Sequence, residues 1–227
     1  MHIAILVTNT DHSDFAKAHP GDGAKFSTLL AAIRPDWQFS IYDVTTGQFP
    51  PDAAQFDGWL ITGSPASVHD KVAWIGDLFA LIRRIVTKGT PLFGACFGHQ
   101  AIAMALGGVV ADNPGGWVLG LTETQMDHHA VSIYAAHKEQ VVQLPKGATI
   151  IGGNATCKIG SFAIGTAVLA TQYHPEMTAD FIAALTEELA ERLPAKVINR
   201  ARASLQKKPN TAWMAQRIAQ FFAPDQD

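Results

Sequence analysis

The chain has 227 residues, 48% hydrophobic and 16% charged, enough to bury roughly 70% of its unfolded surface in one core, so a single domain is the expectation. A formal charge of -3, with no basic run longer than pairs such as Lys207, Lys208, offers no general attraction to phosphate backbones and argues against nucleic acid as a partner. No apolar stretch approaches the roughly 20 residues that span a bilayer, and Met1 leads into HIAILVT without a basic segment and cleavage site, so a soluble cytoplasmic protein with no membrane partner is expected.

HIAILVT (2–8) reads as a buried strand, and Phe26, Leu29, Leu30 and Ile33 then recur on one helical face that ends near Pro35. WQFSIYD (37–43) is a second strand and DGWLITG (57–63) a third. Trp74, Ile75, Leu78, Phe79, Ile82, Ile85 and Val86 mark a helix that Gly89 closes. PLFGA (91–95) is the next strand. Short apolar runs alternating with helical stretches are the mark of βα units on a parallel sheet.

From 109 to 173 the rhythm changes to short extended pieces, VVAD, GLTETQ, AVSIYAA, ATII and AVLATQY, which predict added strands, some antiparallel. After 178, Phe181, Ile182, Leu185, Leu189 and Leu193 describe one amphipathic helix, with two more over 195–206 and 211–222 and a turn at Pro209, Asn210. The expected fold class is α/β: an open, mostly parallel, twisted sheet flanked by helices, with extra antiparallel strands. Residues 1–192 are expected to form the main domain and 193–227 a helical C-terminal extension of it. Trp213, Ile218, Phe221 and Phe222 give that extension an apolar face, for packing within the chain or for a dimer surface.

Two cysteines are too few for a disulfide framework, and their spacing matches no zinc pattern. Cys96 sits in Gly94-Ala95-Cys96-Phe97-Gly98, between a strand and a helix over roughly Phe97 to Leu106. A nucleophile on a sharp strand-to-helix turn needs very small residues two before and two after it, which the glycines supply. The helix would aim free N–H groups and its positive dipole end at the sulfur, favouring thiolate. The alternative is a small buried hydrophobe, the ordinary state of a free cysteine. Cys157, in NATCKIG, lacks such flanks and is expected to be structural.

A cysteine that attacks an amide needs an imidazole to manage protons and a third group to orient it. His174 follows the strand AVLATQY and opens His174-Pro175-Glu176. In extended geometry residues i and i+2 point the same way, so Glu176 can reach the imidazole while Pro175 stiffens the link. Both fall at a strand's C-terminal end, the edge where open α/β sheets bind ligands. His99, on the helix after Cys96, is expected to be packed. His128 and His129, beside Asp127, face opposite sides of a strand and are expected to hold no metal.

PLFGACFGHQAIAMALGG, the earlier WLITGSPASV and the late QYHPEMT together resemble the class I glutamine amidotransferases, over roughly residues 40–180 and in the family's order. The chain is similar to the glutaminase part of GMP synthase without a synthetase half, as in the free-standing members. The resemblance implies that Cys96 is the nucleophile, His174 the base and Glu176 the orienter in hydrolysis of a γ-glutamyl amide through a thioester, with no cofactor and no metal. It also implies an oxyanion hole from the N–H of Phe97 and a second N–H in the turn Thr62-Gly63-Ser64-Pro65. Pro65 cannot donate, so Gly63 or Ser64 must, and Ser64 matches the family's donor.

Gln100 matches a position that helps hold substrate, and Gly115, Gly116 and Trp117 with Gly120 match an architectural segment. Where relatives of GMP synthase carry Ser-His-Gly-Asp at the edge of the glutamine pocket, this chain has Ala136-His137-Lys138-Glu139, which opens the acyl-donor specificity. The implied substrate is a small molecule, glutamine or a γ-glutamyl peptide. With glutamine, a separate ammonia-accepting synthetase chain or a homodimer is the implied partner; a γ-glutamyl peptide hydrolase would be self-sufficient. A non-catalytic binding module on the same fold is a third reading, against which all three triad residue types speak.

Overall fold

The computed structural model describes residues 1–51 and 55–224. The chain runs β1 (His2–Val7), α1 (Asp14–Lys17), α2 (Asp22–Ala31), β2 (Gln38–Asp43), β3 (Gly58–Ile61), α3 (Ala73–Lys88), β4 (Leu92–Ala95) and α4 (Phe97–Ala105). It continues through β5 (Val109–Asp112), β6 (Val118–Met126), β7 (His129–His137), β8 (Glu139–Gln143), β9 (Thr149–Gly153), β10 (Ser161–Ile164) and β11 (Val168–Thr171). Three helices close it: α5 (Ala179–Glu188), α6 (Ala195–Ser204) and α7 (Thr211–Phe222).

The main sheet has the order β2-β1-β3-β4-β11-β10-β9-β6-β7. Its first five strands pair in parallel, and the rest are added by antiparallel pairing. β5 and β8 form a separate antiparallel ribbon. This is the expected α/β architecture. Two strands escape the sequence pattern: β8, whose Glu-Gln-Val-Val-Gln lacks apolar alternation, and β10, only Ser161–Ile164 long. α5 stops at Glu188 rather than reaching Leu193: 189–193 close as turns, and Pro194 disfavours helical backbone at Leu193. Leu189 and Leu193 still pack beside Leu119 and Ile198, so the apolar spacing reports contact rather than helix length.

Alternation along the buried strands splits the core into two layers. Ala4 and Leu6 of β1, with Trp59 and Ile61 of β3, meet Ile75, Leu78, Ile82 and Ile85 of α3 on one face. Ile3, Ile5, Leu60 and Phe93 point to the other, where Phe26 and Leu30 of α2 meet Met214, Ile218 and Phe222 of α7. Fully burying each such side chain is worth about 1.5–3 kcal/mol, so α7 is a structural half of that layer. Ile218 is fully buried and Phe222 packs edge-on to Trp37, which places the apolar face of the C-terminal helix inside the chain. Among the described residues, no helix is long and apolar enough to cross a membrane.

Parallel pairing brings the C-terminal ends of β1, β3, β4 and β11 to one edge of the sheet, and the backbone there is cross-tied. The single Thr8 hydroxyl hydrogen is shared between the carbonyls of Thr62 and Gly63, each 3.0 Å from Oγ1. The chemistry-bearing residues converge on this edge.

Candidate active site

Cys96 alone joins β4 to α4, with φ 50° and ψ -103°, a conformation that L residues other than glycine adopt only when the surroundings enforce it. The enforcement is visible. Cys96 N–H donates to Thr171 O at 2.8 Å, and Gly98 N–H donates to Thr62 O at 3.1 Å, tying the bend to β11 on one side and to the end of β3 on the other. A Cβ at position 98 would fall 2.5 Å from Ile61 O, and one at position 94 would fall 2.7 Å from the backbone carbonyl of Gly98. Both flanking glycines are therefore required by contact, as expected from the sequence.

His174 leaves the end of β11 in extended form, its N–H donating to Tyr134 O at 2.8 Å. The ring Nδ1 lies 2.7 Å from Glu176 Oε1, with the two side chains 5% and 1% exposed. Burial works against a charged ring, yet the Glu176 carboxylate and the Cys96 sulfur outweigh it and hold the His174 pKa well above the ordinary histidine value. The sulfur and the ring also share a wall: a Cβ at Gly63 would lie 2.8 Å from His174 Cε1 and 3.5 Å from Cys96 Cβ. The structure thus brings Cys96, His174, Glu176 and Gly63 together.

The expected oxyanion donors flank the same space. Among the described residues, the backbone N–H groups of Gly63, Ser64 and Phe97 donate no hydrogen bond. Ser64 Oγ accepts from Ala66 N–H at 3.1 Å within its own turn. Gln100 stands one turn along α4, but its Nε2 points inward, donating to Glu139 O at 2.8 Å and to Gln172 Oε1 at 3.1 Å. Both amide hydrogens are used, which leaves Oε1 as the group Gln100 can offer a substrate.

Sequence reasoning singled out Ala136-His137-Lys138-Glu139 at the edge of the pocket but passed over Gln172 and Ser67. Gln172 Nε2 donates to Cys96 Sγ at 3.6 Å, and the thiol donates to Ala136 O at 3.8 Å. A glutamine in the buried end of AVLATQY was the available signal. Across the mouth, Ser67 Oγ lies 2.9 Å from both oxygens of Glu139, tying the loop after β3 to the start of β8. His137 Nδ1 donates to Glu139 O at 3.0 Å, and burial pushes its pKa down to about 4.

Other histidines stand outside this cluster, whereas the buried second cysteine is near enough to Cys96 to be influenced by it. His99 is fully buried against the Phe162 ring, 4.9 Å between centroids, with a pKa pushed by burial down to about 3. It is a packed, neutral ring, as expected. Burial, reinforced by Cys96, pushes the Cys157 thiol up to about 12. His129 packs on Trp213, and Asp127 accepts from Arg217 Nε at 2.6 Å. Among the described residues, no group of three or more His, Cys, Asp or Glu side chains is placed to hold a metal ion.

Cys96 and His174 are each 4% exposed, so the reactive space is nearly closed. Two open depressions at the far edge, beside Glu123, Asn154 and Ile150, include none of the candidate residues.

Comparison with known proteins gives this geometry a context. The family model of glutamine amidotransferase class-I matches residues 31–181. Gamma-glutamyl peptidase 3 of Arabidopsis thaliana is 26% identical over 195 residues, 78% of this chain and 78% of that protein. A glutamine-hydrolyzing GMP synthase chain of Saccharolobus solfataricus is 29% identical over 135 residues, 54% of this chain and 69% of its own. Among solved structures, a glutamine amido transferase from Methylobacillus flagellatus superposes with a TM-score of 0.78 at 22% identity, covering 97% of this chain and 91% of that one. At that identity the superposition speaks for the fold.

Proposed function

The chain belongs to the glutamine amidotransferase class-I family, and from that premise we propose that it hydrolyses the γ-glutamyl amide bond of a small substrate, with Cys96 as nucleophile, His174 as base and Glu176 as orienter. The observation that carries this is the buried 2.7 Å pair of His174 and Glu176 set beside a cysteine on a strained strand-to-helix bend.

The Cys96 thiolate adds to the γ-carbonyl carbon, forming the C–S bond as the carbonyl electron pair moves onto oxygen. That oxygen meets the N–H groups of Phe97 and of Gly63 or Ser64, aimed where charge develops. Collapse breaks the C–N bond, and the His174 imidazolium gives its proton to the departing nitrogen. Water, deprotonated by the now neutral ring, then adds to the thioester, and a second collapse releases the acid and restores the thiolate. Glu176 holds the ring in one tautomer and stabilises its charged form, the same job a buried carboxylate does in serine hydrolases. Gln100 offers its Oε1 to the substrate.

The leaving group is ammonia if the substrate is glutamine and an amine if it is a γ-glutamyl peptide. A γ-glutamyl peptide is favoured because similarity to the peptidase runs along far more of this chain than similarity to the GMP synthase chain. The departure at Ala136-His137-Lys138-Glu139 agrees with a different donor. Glutamine hydrolysis would supply ammonia to a synthetase on another chain, whereas peptide hydrolysis needs no acceptor. The test is to incubate the purified protein with glutamine and, separately, with a panel of γ-glutamyl dipeptides, measuring released ammonia and amine. Release from at least one γ-glutamyl compound supports the proposal, and the preferred compound decides the donor. No release from any of them contradicts it.

A further inference from the structure

The geometry points to Gln172 as a catalytic residue that donates a hydrogen bond to the Cys96 thiolate, with Gln100 as the positioning residue that keeps its amide turned the right way. This rests on Cys96 being the nucleophile. The orientation follows from one backbone carbonyl. Glu139 O can only accept, so the Gln100 atom 2.8 Å from it must be the Nε2 donor. The same Nε2 lies 3.1 Å from the Gln172 amide, which must present its oxygen there. The Gln172 NH2 is then on the opposite side, 3.6 Å from Cys96 Sγ. Gln172 is fully buried, and its own N–H is fixed to Gly160 O at 2.8 Å, so the side chain starts from an anchored backbone.

A donor facing sulfur gains strength when the sulfur is charged, more so in a site closed to water. Ala136 O, at 3.8 Å, acts in the other direction by accepting from the thiol. Gln172 is thus the side chain whose amide offsets that carbonyl. The titratable groups facing the sulfur are His174, backed by Glu176, and Cys157, whose pKa near 12 keeps it protonated. His137 on β7 and His99 on α4 stay neutral above about pH 4 and about pH 3. The Glu139 carboxylate is turned to Ser67.

A lost thiolate donor has a signature that damage does not share. If Gln172→Met moves sulfur ionisation by about one pH unit, thiolate becomes about tenfold scarcer on the rising limb but about threefold more nucleophilic, since nucleophilicity follows basicity with a coefficient of about 0.4–0.5. Iodoacetamide alkylation of Cys96, followed against pH, is therefore expected to be about threefold slower than wild type on the rising limb and about threefold faster on the plateau, so the curves cross. Gln100→Met is expected to shift the curve the same way by a smaller amount, and it carries the test if thermal unfolding shows that Gln172→Met does not fold. Curves that coincide with wild type, or that fall by one factor at every pH, would overturn the assignment. Alkylation needs no substrate, so crossing curves in a protein that cleaves no γ-glutamyl compound would sink the proposed function and leave this inference standing.

Discussion

His174 Nδ1 and Glu176 Oε1 lie 2.7 Å apart across a link of one proline, in a space that leaves the two side chains 5% and 1% exposed. So short a connection sets the ring with little freedom, and the raised His174 pKa makes the pair contribute to stability as well as to chemistry. The folded protein holds its imidazole proton to higher pH than the unfolded chain, whose histidine titrates near about 6.5. The contribution is complete below that pH and is lost as pH rises through the folded value. Denaturant unfolding of wild type and His174→Gln, compared from pH 6 upward, should show the wild-type advantage shrinking with pH. An advantage that grows with pH would contradict the assignment.

In the proposed mechanism Glu176 orients and Cys96 reacts, so their losses should differ in degree. Cys96→Ala is expected to fold and to lose all turnover. Glu176→Gln keeps the nucleophile but spoils the tautomer, and kcat/KM should fall by about 10²–10⁴-fold, the range general acid–base contributions cover. Steady-state rates with the best γ-glutamyl substrate check this, and equal losses would mean that Glu176 does more than orient.

Gly63 touches both partners. A methyl group there would come 2.8 Å from His174 Cε1 and push the ring from its place. Gly63→Ala should lower kcat/KM by about a hundredfold, the cost of a displacement of about 1 Å at a reacting group, while circular dichroism stays that of a folded protein. Unchanged kinetics would place the ring elsewhere.

Two glycine substitutions should move stability in opposite directions. Gly98→Ala would drive a Cβ to 2.5 Å from Ile61 O, forcing α4 away from β3, and should cost about 1–3 kcal/mol. Gly76, exposed within α3, meets nothing within 4 Å, and Gly76→Ala should add about 0.5–1 kcal/mol. Urea unfolding of both variants measures the difference.

Much of this site could be read in the chain because its demands are local. The bend at Cys96 needs small residues at fixed offsets, and the His174-Pro175-Glu176 link is short enough to bring two side chains together, although the structure closes it as a turn at Pro175 and Glu176 rather than as the extended backbone expected from the sequence. The parallel strands β1, β3, β4 and β11 were legible for a similar reason, since each is a short, largely apolar buried run. β10 was not, because Ser161–Ile164 is too short to show a pattern even though its partners β9 and β11 lie close by in the chain, and β8 was not, because its partner β5 is remote in sequence and supplies the order that its own residues do not signal. The Gln100–Gln172–Cys96 contacts were hidden for the same cause: a helix and two strand ends meet there only after the fold is built.

The most direct test is peptide mapping of the enzyme quenched with acid during steady-state turnover of its best γ-glutamyl substrate. The account predicts one γ-glutamyl adduct, on the peptide that contains Cys96, and none in Cys96→Ser. Turnover without any adduct on that peptide, or turnover undiminished in Cys96→Ala, would contradict it.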